Sequence, residues 1–316
     1  MVTNVHSRAS EDAYQLDRLY AVCCRYYDEG DDQTTIAKDF GVSRATISRM
    51  LSHAREIGMV QITVIPPARD AGGELAGRLA EVLELEACFI APGLQPPNTG
   101  PGMESAVQEA VDAMELEAGD VVVISSGMAT YGISHMPLTG LTDTVLVPAV
   151  GGVSEPEPWH QATETVRRLA RATGADHLGL FAEAVSSPSV FAALAEDPSF
   201  TAVSGLWKRA KGALLGIGSP TIERTSLSST IPQETLPTSV GDVCLHFFDS
   251  AGDLLSFPGA ERTVHIPIDD IRAIPHGTAV AVGENKVQSI RTAARMKLFT
   301  RLVTDEATAS LLLDVA

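Results

Sequence analysis

The sequence is poor in cysteine and contains no long apolar run, and both absences exclude classes of protein. Its four cysteines, Cys23, Cys24, Cys88 and Cys244, form no CxxC pair and show no metal-type spacing with histidine, which argues against a zinc site or a disulfide framework. No apolar stretch approaches the roughly 20 residues that a membrane helix needs. The N-terminus also lacks the basic-then-apolar layout of a signal peptide. We therefore expect a cytoplasmic chain with reduced thiols that has no membrane partner, no metal and no cofactor.

Cations are also scarce, because 23 Lys and Arg residues stand against 40 Asp and Glu and give a net charge of −17. Affinity for duplex DNA comes largely from cations that meet phosphates, so any contact with nucleic acid has to be local. Residues 1–65 contain seven Lys or Arg and nine Asp or Glu, which leaves −15 on the rest of the chain. Residues 43–55 contain three arginines and no acid. This is the segment that we expect on DNA, and the acidic remainder should weaken non-specific binding.

Length and composition otherwise indicate an ordinary globular protein of two domains. The 316 residues are 45% hydrophobic and 20% charged, and they exceed the roughly 100 to 200 residues of one typical domain. Residues 66–73, PPARDAGG, break any regular element and are typical of a linker. We predict a small domain over residues 1–65 and a large domain over residues 66–316.

The small domain has the pattern of a helix-turn-helix of the winged type. Apolar residues recur at helical spacing over residues 17–29. Residues 33–65 then split at Gly41 into two short helices and end in a β-rich tail over residues 60–65. Glycine tolerates the positive φ that such a tight turn often requires. The expected inward residues are Leu16, Leu19, Tyr20, Cys23, Tyr26 and Tyr27 on the first helix and Ile36, Ala37, Phe40, Val42, Ile47 and Leu51 on the other two.

The third of these helices has the polar face of a DNA-reading helix. Ser43 lies at its N-cap position, and Arg44 and Arg49 lie opposite its apolar residues. Arginine can bond guanine through two hydrogen bonds, and Ser or Thr can contact bases or phosphates. The predicted contacts to double-stranded DNA are Thr34, Ser43, Arg44, Ala45, Thr46, Ser48 and Arg49. The alternative is an αα-hairpin with a solvated polar face. The Tyr26-Tyr27 pair is likewise either a stacking platform for bases or part of the core.

The large domain alternates apolar strands with helices, which predicts a parallel sheet covered on both faces. Predicted strands lie at residues 120–125, 144–150, 178–182 and 211–216, with further strands at VCLHFFD (243–249), TAVAVG (278–283) and RLVT (301–304). Predicted helices lie at residues 74–85, 161–173, 286–299 and 305–315. We therefore expect a doubly wound, Rossmann-like α/β domain, in which Asp305 caps the last helix.

Five segments of the chain resemble the SorC family of bacterial regulators, which is grouped with DeoR-type sugar sensors. They are TTIAKDFGVSRATISRML, AREIGMVQITV, VGDVCLHFFDSAGD, IPHGTAVAVGENKVQSIRTAA and LVTDEATASLLL, and the resemblance covers nearly the whole chain. It implies a sensor domain similar in fold to sugar-phosphate isomerases and deaminases but without catalysis. It also implies a homo-oligomer, typically a tetramer, whose affinity for operator DNA changes when a small sugar or polyol phosphate effector binds.

Three loops qualify as the effector site, because ligands of open α/β sheets bind beyond the carboxyl ends of parallel strands. The first resembles the family's effector loop, but Ala129 stands where the family usually has a hydroxyl residue, with Thr130 adjacent. The second has a Gly-Gly pair, which allows close backbone approach or makes an ordinary turn, and leads to Gln161 at a family ligand position. The residues of these two loops are Ser126, Gly127, Met128, Ala129, Thr130, Gly151, Gly152 and Gln161.

The third loop comprises Gly283, Glu284, Asn285 and Lys286. A cation in the first turn of a helix opposes the helix dipole, so Lys286 is expected either to contact an anionic ligand, as the resemblance implies, or to be a solvated surface lysine. Asp249 would accept hydrogen bonds from ligand hydroxyls or would cap the turn before Gly252.

Two other functions fit the same sequence. The first is a sugar-phosphate isomerase or deaminase-like enzyme fused to a DNA-binding domain, because a fold alone does not exclude catalysis. The second is a constitutive DNA-binding protein without an effector. The domain of roughly 250 residues with three ligand-type loops favours an effector, and the absence of an acid-base constellation beyond Asp249, Glu284 and Lys286 favours sensing over catalysis.

Overall fold

A computed structural model describes residues 16, 18–28, 30–57, 59–60, 71–93, 101–153, 155, 157–220, 231 and 236–314 of the chain. These residues belong to two compact units, Met1–Val64 and Ile65–Ala316. Residues 66–70 of the predicted linker and residues 61–65 of the predicted β-rich tail lie outside the described residues. Residues 71–73, also predicted as linker, instead begin the helix Ala71–Val82. Among the helices that the structure describes, none combines the length and apolar composition needed to cross a bilayer.

The smaller unit is helical. Residues 18–23 form an α-helix that continues as a π-helix over Cys24–Asp28, and α1 (Gln33–Asp39) and α2 (Arg44–Glu56) follow. The turn at Gly41 has a φ of +64°, as the sequence predicts. The core of this unit consists of Leu19, Val22, Cys23, Ile36, Ala37, Ile47, Leu51 and Ala54.

Two of the predicted inward residues of the first helix point outward instead. Leu16 is 49% exposed and Tyr20 is 61% exposed. At 3.6 residues per turn, Tyr20 lies about 110° from the middle of the stripe that Leu19, Val22 and Cys23 form, so the apolar spacing overestimated the width of the buried face.

The larger unit has a seven-stranded, all-parallel sheet with the strand order β1-β9-β8-β5-β2-β3-β4. Its strands are β1 (Ala87–Ala91), β2 (Val121–Ile124), β3 (Val145–Pro148), β4 (Asp176–His177), β5 (Ala210–Gly216), β8 (His276–Val280) and β9 (Arg301–Asp305). The α-helices are α3 (Ala71–Val82), α4 (Glu104–Asp112), α5 (Met128–Ile133), α6 (Ala162–Thr173), α7 (Pro188–Leu194), α8 (Pro198–Trp207), α9 (Ile268–Ala273), α10 (Val287–Arg295) and α11 (Glu306–Asp314).

Helices cover both faces of this sheet, which confirms the predicted α/β class. Alternate residues of β2 enter two separate cores: Val121 and Val123 pack with residues of α3, α8, α10 and α11, whereas Val122 and Ile124 pack with residues of α4, α5 and α6. From β2 the chain continues to β3 on one side of the sheet, and from β5 it continues to β8 on the opposite side. The topological switch point therefore lies between β2 and β5, where such sheets bind ligands.

The segment VCLHFFD is not one strand, as predicted, but part of a two-stranded hairpin of β6 (Gly241–Val243) and β7 (His246–Phe248). Cys244 and Leu245, with φ of 51° and 65°, form its turn. A two-residue hairpin turn with both φ values positive usually carries Asn or Gly, so the sequence gives no signal for it. The Leu245 N–H donates to Asp242 Oδ2 at 3.0 Å and fixes this turn.

The predicted strand over residues 178–182 is also wrong, because the paired strand β4 ends at His177. The chain then leaves the sheet and runs beside the loop that follows β3. The Gly152 N–H donates to the Ala182 carbonyl at 2.8 Å, and the Ala184 N–H donates to the Gly152 carbonyl at 2.6 Å. A Cβ atom on Gly151 would lie 2.7 Å from the Ala182 oxygen, so only glycine fits this contact.

We predict that Gly151→Ala lowers the free energy of unfolding by about 1–3 kcal/mol, because the added methyl group forces the two segments apart. Urea unfolding would measure this. Gly205→Ala is the matched control, since nothing lies within 4 Å of its Cβ position in α8, and alanine there should be neutral or stabilising by up to about 1 kcal/mol. Equal effects of the two substitutions would contradict the close approach at Gly151.

Candidate nucleic-acid and ligand-binding sites

The helix α1 begins at a cap that sequence reasoning missed. Asp32 Oδ1 accepts hydrogen bonds from the N–H groups of Thr34 at 2.7 Å and Thr35 at 3.0 Å. These backbone donors lower the pKa of the Asp32 carboxyl. The signal was present in the sequence, since Asp is a preferred N-cap residue directly before a helical pattern. Thr34, predicted to contact DNA, is exposed, and its N–H belongs to this cap.

The helix α2 begins as predicted, with Ser43 as its N-cap. The Thr46 N–H donates to Ser43 Oγ at 3.1 Å, and the two hydroxyl oxygens lie 2.9 Å apart. The hydroxyl groups of Ser43 and Thr46 therefore stabilise the start of the helix, and they also lie near its polar face.

The outward face of α2 consists of Arg44, Ala45, Ser48 and Arg49, all of which are exposed. The opposite side buries Ile47 and Leu51 in the core. Arg49 Nε donates to the Ala45 carbonyl at 3.3 Å, which directs the guanidinium along the helix toward its N-terminus. A capped helix with two exposed arginines near its start has the geometry of a helix that reads the major groove.

Two other arginines of this unit have structural partners. Arg25 forms ion pairs with Asp31 and Asp39, which raise its pKa. Arg18 donates to the Phe40 carbonyl at the end of α1, at 2.7 Å. Tyr26 and Tyr27 contact each other edge to face and pack against the helical core, which favours the core-packing interpretation over base stacking.

In the larger unit, the carboxyl ends of β3, β2, β5 and β8 lie side by side at one edge of the sheet. Ser125, 1% exposed, lies at the switch point. Its Oγ accepts the Gly216 N–H at 2.8 Å and donates to the Ser126 carbonyl at 3.0 Å. The edge therefore brings together the predicted loops after β2, β3 and β8.

The loop after β2 departs from its predicted role at two residues. Ala129 is 5% exposed and Thr130 is 1% exposed. Thr130 Oγ1 is within hydrogen-bonding distance of the Ser125 carbonyl at 2.8 Å and the Gly127 carbonyl at 3.1 Å, so this hydroxyl is used inside the protein and does not replace the one missing at position 129. Ser126 and Met128 are the residues of this loop whose side chains reach the surface.

The loop after β3 brings Gly151, Gly152 and Gln161 together, as predicted. Gln161 Nε2 donates to the Val153 carbonyl, and a Cβ atom on Gly152 would lie 2.5 Å from Gln161 Oε1. Gly152 and Gln161 line an open groove of about 490 Å³, whose other lining residues include Arg167 and the 86% exposed Phe181.

The loop after β8 forms a 3₁₀ turn over Glu284–Lys286 before α10. The Gly283 N–H donates to Thr308 Oγ1 at 2.8 Å, and the Thr308 N–H donates to Asp305 Oδ1 at 2.8 Å. Asp305 thus caps the final helix, as predicted. Glu284 and Asn285 are exposed and Lys286 is half-buried.

Asp249 does not lie at this edge, contrary to the effector role considered for it. Its Oδ1 accepts the N–H groups of Ala251, Gly252 and Asp253 at 2.9, 3.1 and 3.0 Å, which makes it the cap of a turn. The adjacent Ser250 carbonyl accepts from Arg295 in the last turn of α10. The turn therefore lies at the other end of a nine-residue helix from Lys286, a separation of about 13 Å along the helix.

Sequence reasoning missed the residues that β5 and the hairpin bring to the edge. The Gly218 N–H donates to the Asp242 carbonyl at 2.9 Å, so β6 begins beside the carboxyl end of β5. A signal was present in the sequence LLGIGS, where an apolar run leads into Gly216 and Gly218, as a strand leads into a ligand-binding loop.

Two imidazoles stack beside this hairpin, with the ring centroids of His246 and His265 4.0 Å apart. His246 Nε2 donates to the Ile266 carbonyl and His265 Nδ1 donates to the Cys244 carbonyl, both at 2.9 Å. Burial lowers the pKa of both, that of His265 to about 4. Among the described residues no three His, Cys, Asp or Glu side chains are arranged to hold a metal ion.

The half-buried histidine pair makes the stability of the fold depend on pH. Because the pKa of His265 is about 4 in the folded protein against 6.5 as its ordinary value, the unfolded chain binds the proton first. The free energy of unfolding should therefore fall as the pH drops from about 6.5 toward 4.

We predict a loss of about 2 kcal/mol between pH 7.5 and pH 5 from this residue, measured by urea unfolding at both values. His265→Asn, whose amide can still donate to Cys244, should remove that part of the slope, and the exposed His177→Asn should not. An unchanged slope in His265→Asn would contradict the assignment.

The family model described as "Putative sugar-binding domain" matches residues 72–314. The sorbitol operon regulator of Klebsiella pneumoniae is 29% identical over 300 residues, which cover 91% of this chain and 95% of that protein. The deoxyribonucleoside regulator of Bacillus subtilis is 28% identical over 298 residues, covering 92% and 95%. The crystal structure of full-length SorC from Klebsiella pneumoniae superposes with a TM-score of 0.68 at 25% identity, covering 93% of this chain and 98% of that one. The chain therefore belongs to this sugar-binding-domain family, among the transcriptional regulators of the SorC/DeoR type.

Proposed function

We propose that the chain binds operator DNA through α2 and that a carbohydrate bound at the carboxyl edge of the sheet changes this binding. The observation that carries the proposal is the pair of exposed arginines, Arg44 and Arg49, at the start of a capped helix in an otherwise acidic protein. Base-edge contacts are assigned to these two arginines, with Ala45 and Ser48 between them. Contacts to DNA phosphates are assigned to Thr34, Ser43 and Thr46.

The effector site is assigned to the three loops at the switch-point edge. The side chains of Ser126 and Gln161 can bond ligand hydroxyls, and Gly151 and Gly152 permit close approach of the backbone. Lys286, beside Glu284 and Asn285, provides the cation for an anionic group such as a phosphate. The effector class is a sugar, a polyol or a phosphate of either. Relatives named for sorbitol and deoxyribonucleosides make those compounds and their phosphates the first to test.

The proposed site binds without catalysis. Two imidazoles beside the β6–β7 hairpin, those of His246 and His265, donate to main-chain carbonyls, and their lowered pKa values keep them neutral at physiological pH. Asp242 Oδ2 accepts a main-chain N–H. General acid-base work requires groups with a pKa near the working pH that are free to exchange protons with substrate, so these contacts support sensing. Turnover of a sugar phosphate by the purified protein would instead favour the isomerase-like function.

The proposal includes a homo-oligomer, with a tetramer as the expected form. Helix-turn-helix proteins read two half-sites about one helical turn apart through two copies of the motif, so one copy of α2 is insufficient for specific binding. Sedimentation with and without operator DNA would give the number of copies.

We predict that Arg49→Ala weakens binding to the operator about 10- to 100-fold, because one good arginine contact to a base discriminates by about 1–3 kcal/mol. Mobility shift with DNA from upstream of the gene would measure it. Arg171→Ala, which removes an exposed arginine from the larger unit, is the matched control. If Arg49→Ala also abolished effector binding, or if both variants bound DNA equally well, the arginine would not be a base contact.

The effector is tested by repeating the mobility shift with sorbitol, deoxyribonucleosides, other sugars and polyols, and the phosphates of each. A compound that alters the shift, and that also raises the melting temperature, supports the proposal. Specific DNA binding that no compound alters would favour a constitutive DNA-binding protein instead.

A further inference from the structure

Trp159 lies against the loop that follows β2. The Gly127 N–H donates to the Trp159 carbonyl at 2.8 Å. Trp159 itself belongs to a 3₁₀ turn, Pro158–His160, that directly precedes Gln161 and α6. Trp159 therefore lies between two of the loops assigned to the effector, and it is only partly buried.

Tyr131 contacts Trp159 edge to face, and the His160 ring lies tilted to the indole, with centroids 6.1 Å apart and planes at 46°. The ring centroids of Trp159 and Tyr131 are 6.5 Å apart with planes at 65°, and those of Tyr131 and His135 are 4.7 Å apart at 69°. The Arg168 guanidinium lies 5.8 Å from the Tyr131 centroid. In neither contact does an aromatic ring lie flat on the face of the indole. The side chain of Met128, 44% exposed, adds apolar surface at the same loop.

The side chains of the same loop offer little to an anion. The N–H of Gly127 is used by Trp159, and the hydroxyl of Thr130 is used by main-chain carbonyls. Ala129 supplies no side-chain donor, and the Arg168 guanidinium lies over the Tyr131 ring. The side chains of this loop therefore provide no cation for a phosphate, whereas Lys286 in the loop after β8 does.

We propose that Trp159 is a stacking platform for the apolar face of a ring-form sugar whose end at this loop carries no phosphate. In a pyranose or furanose the C–H groups are held on one face of the ring, and that face packs on an aromatic surface while the hydroxyls bond to polar groups at its rim. An open-chain polyol has no such fixed face. The proposal rests on the proposed sugar-sensing function and narrows its ligand class to cyclic sugars.

The chain provides its own reporter, because it contains two tryptophans. Trp207 is 3% exposed, and its Nε1 donates to the Pro148 carbonyl at 2.9 Å. In the Trp207→Phe protein, Trp159 is the sole tryptophan, and its emission reports contact with a ligand directly. If that protein does not fold, acrylamide quenching of the wild-type protein separates the two, since only Trp159 is accessible.

The experiment titrates monosaccharides, their phosphates and the alditol made by reducing each sugar, following tryptophan emission and binding heat. We expect a cyclic sugar to shift or quench the Trp159 emission and its alditol to bind at least tenfold more weakly. Trp159→Ala should weaken the sugar roughly tenfold, as loss of an aromatic stack does. Trp159→Tyr, which keeps an aromatic face, should retain most of the wild-type affinity for the sugar. A purely structural tryptophan would not make the affinity depend on an aromatic ring at this position.

Three outcomes would overturn the proposal. A cyclic sugar that binds Trp159→Ala as tightly as wild type, or an alditol that binds better than its sugar, removes the stacking role and leaves the proposed function intact. If Trp159→Ala changes the oligomeric state but not the affinity for the sugar, the indole contacts another copy of the chain and not the sugar. Binding by no sugar, phosphate or alditol overturns the proposed sugar-sensing function itself.

Discussion

The hydrogen bond from the Gly216 N–H to Ser125 Oγ joins the two central strands of the sheet at their carboxyl ends. On one side of this bond the chain proceeds to β3 and β4, and on the other it proceeds to β8 and β9. Loops that follow β2 and β5 must therefore diverge from this point, and a crevice opens between them. Ser125 is fully buried, so its hydroxyl also satisfies backbone groups that would otherwise be unpaired as the ladder between these strands ends.

A second constraint acts at the turn of the β6–β7 hairpin. Cys244 and Leu245 both have left-handed backbone conformations, each of which costs a non-glycine residue about 1–2 kcal/mol. Asp242 binds the Leu245 N–H and His265 binds the Cys244 carbonyl, so polar side chains compensate the strain from both sides of the turn. The main chain extends these contacts, because the Asp242 carbonyl accepts the Gly218 N–H just beyond β5 and the Val264 carbonyl, next to His265, accepts the Gly151 N–H. The turn and the ligand edge therefore form one network.

Most features that depend on local chemistry could be predicted from the sequence, although the cap at Asp32 was missed, and features that depend on distant contacts could not. The caps at Ser43 and Asp305 were predicted because a capping residue and the helix it begins are adjacent in the sequence. The alternation of apolar strands and helices likewise gave the α/β class. The hairpin turn at Cys244 was missed because tertiary hydrogen bonds, not turn residues, stabilise it. The orientation of Thr130 and the position of Asp249 depended on which backbone groups each side chain would meet, which spacing alone does not encode.

The glycines that open two of the effector loops limit how this protein can change over generations. Gly127 and Gly283 have φ of 122° and 116° with extended ψ, a combination that is essentially restricted to glycine. Substitution of either glycine by any other residue would disrupt the loop backbone, whatever its effect on ligand contacts. Ligand preference can therefore diverge in descendants of this gene mainly through the neighbouring side chains, such as Ser126, Met128 and Lys286, which project from a backbone that the two glycines keep constant.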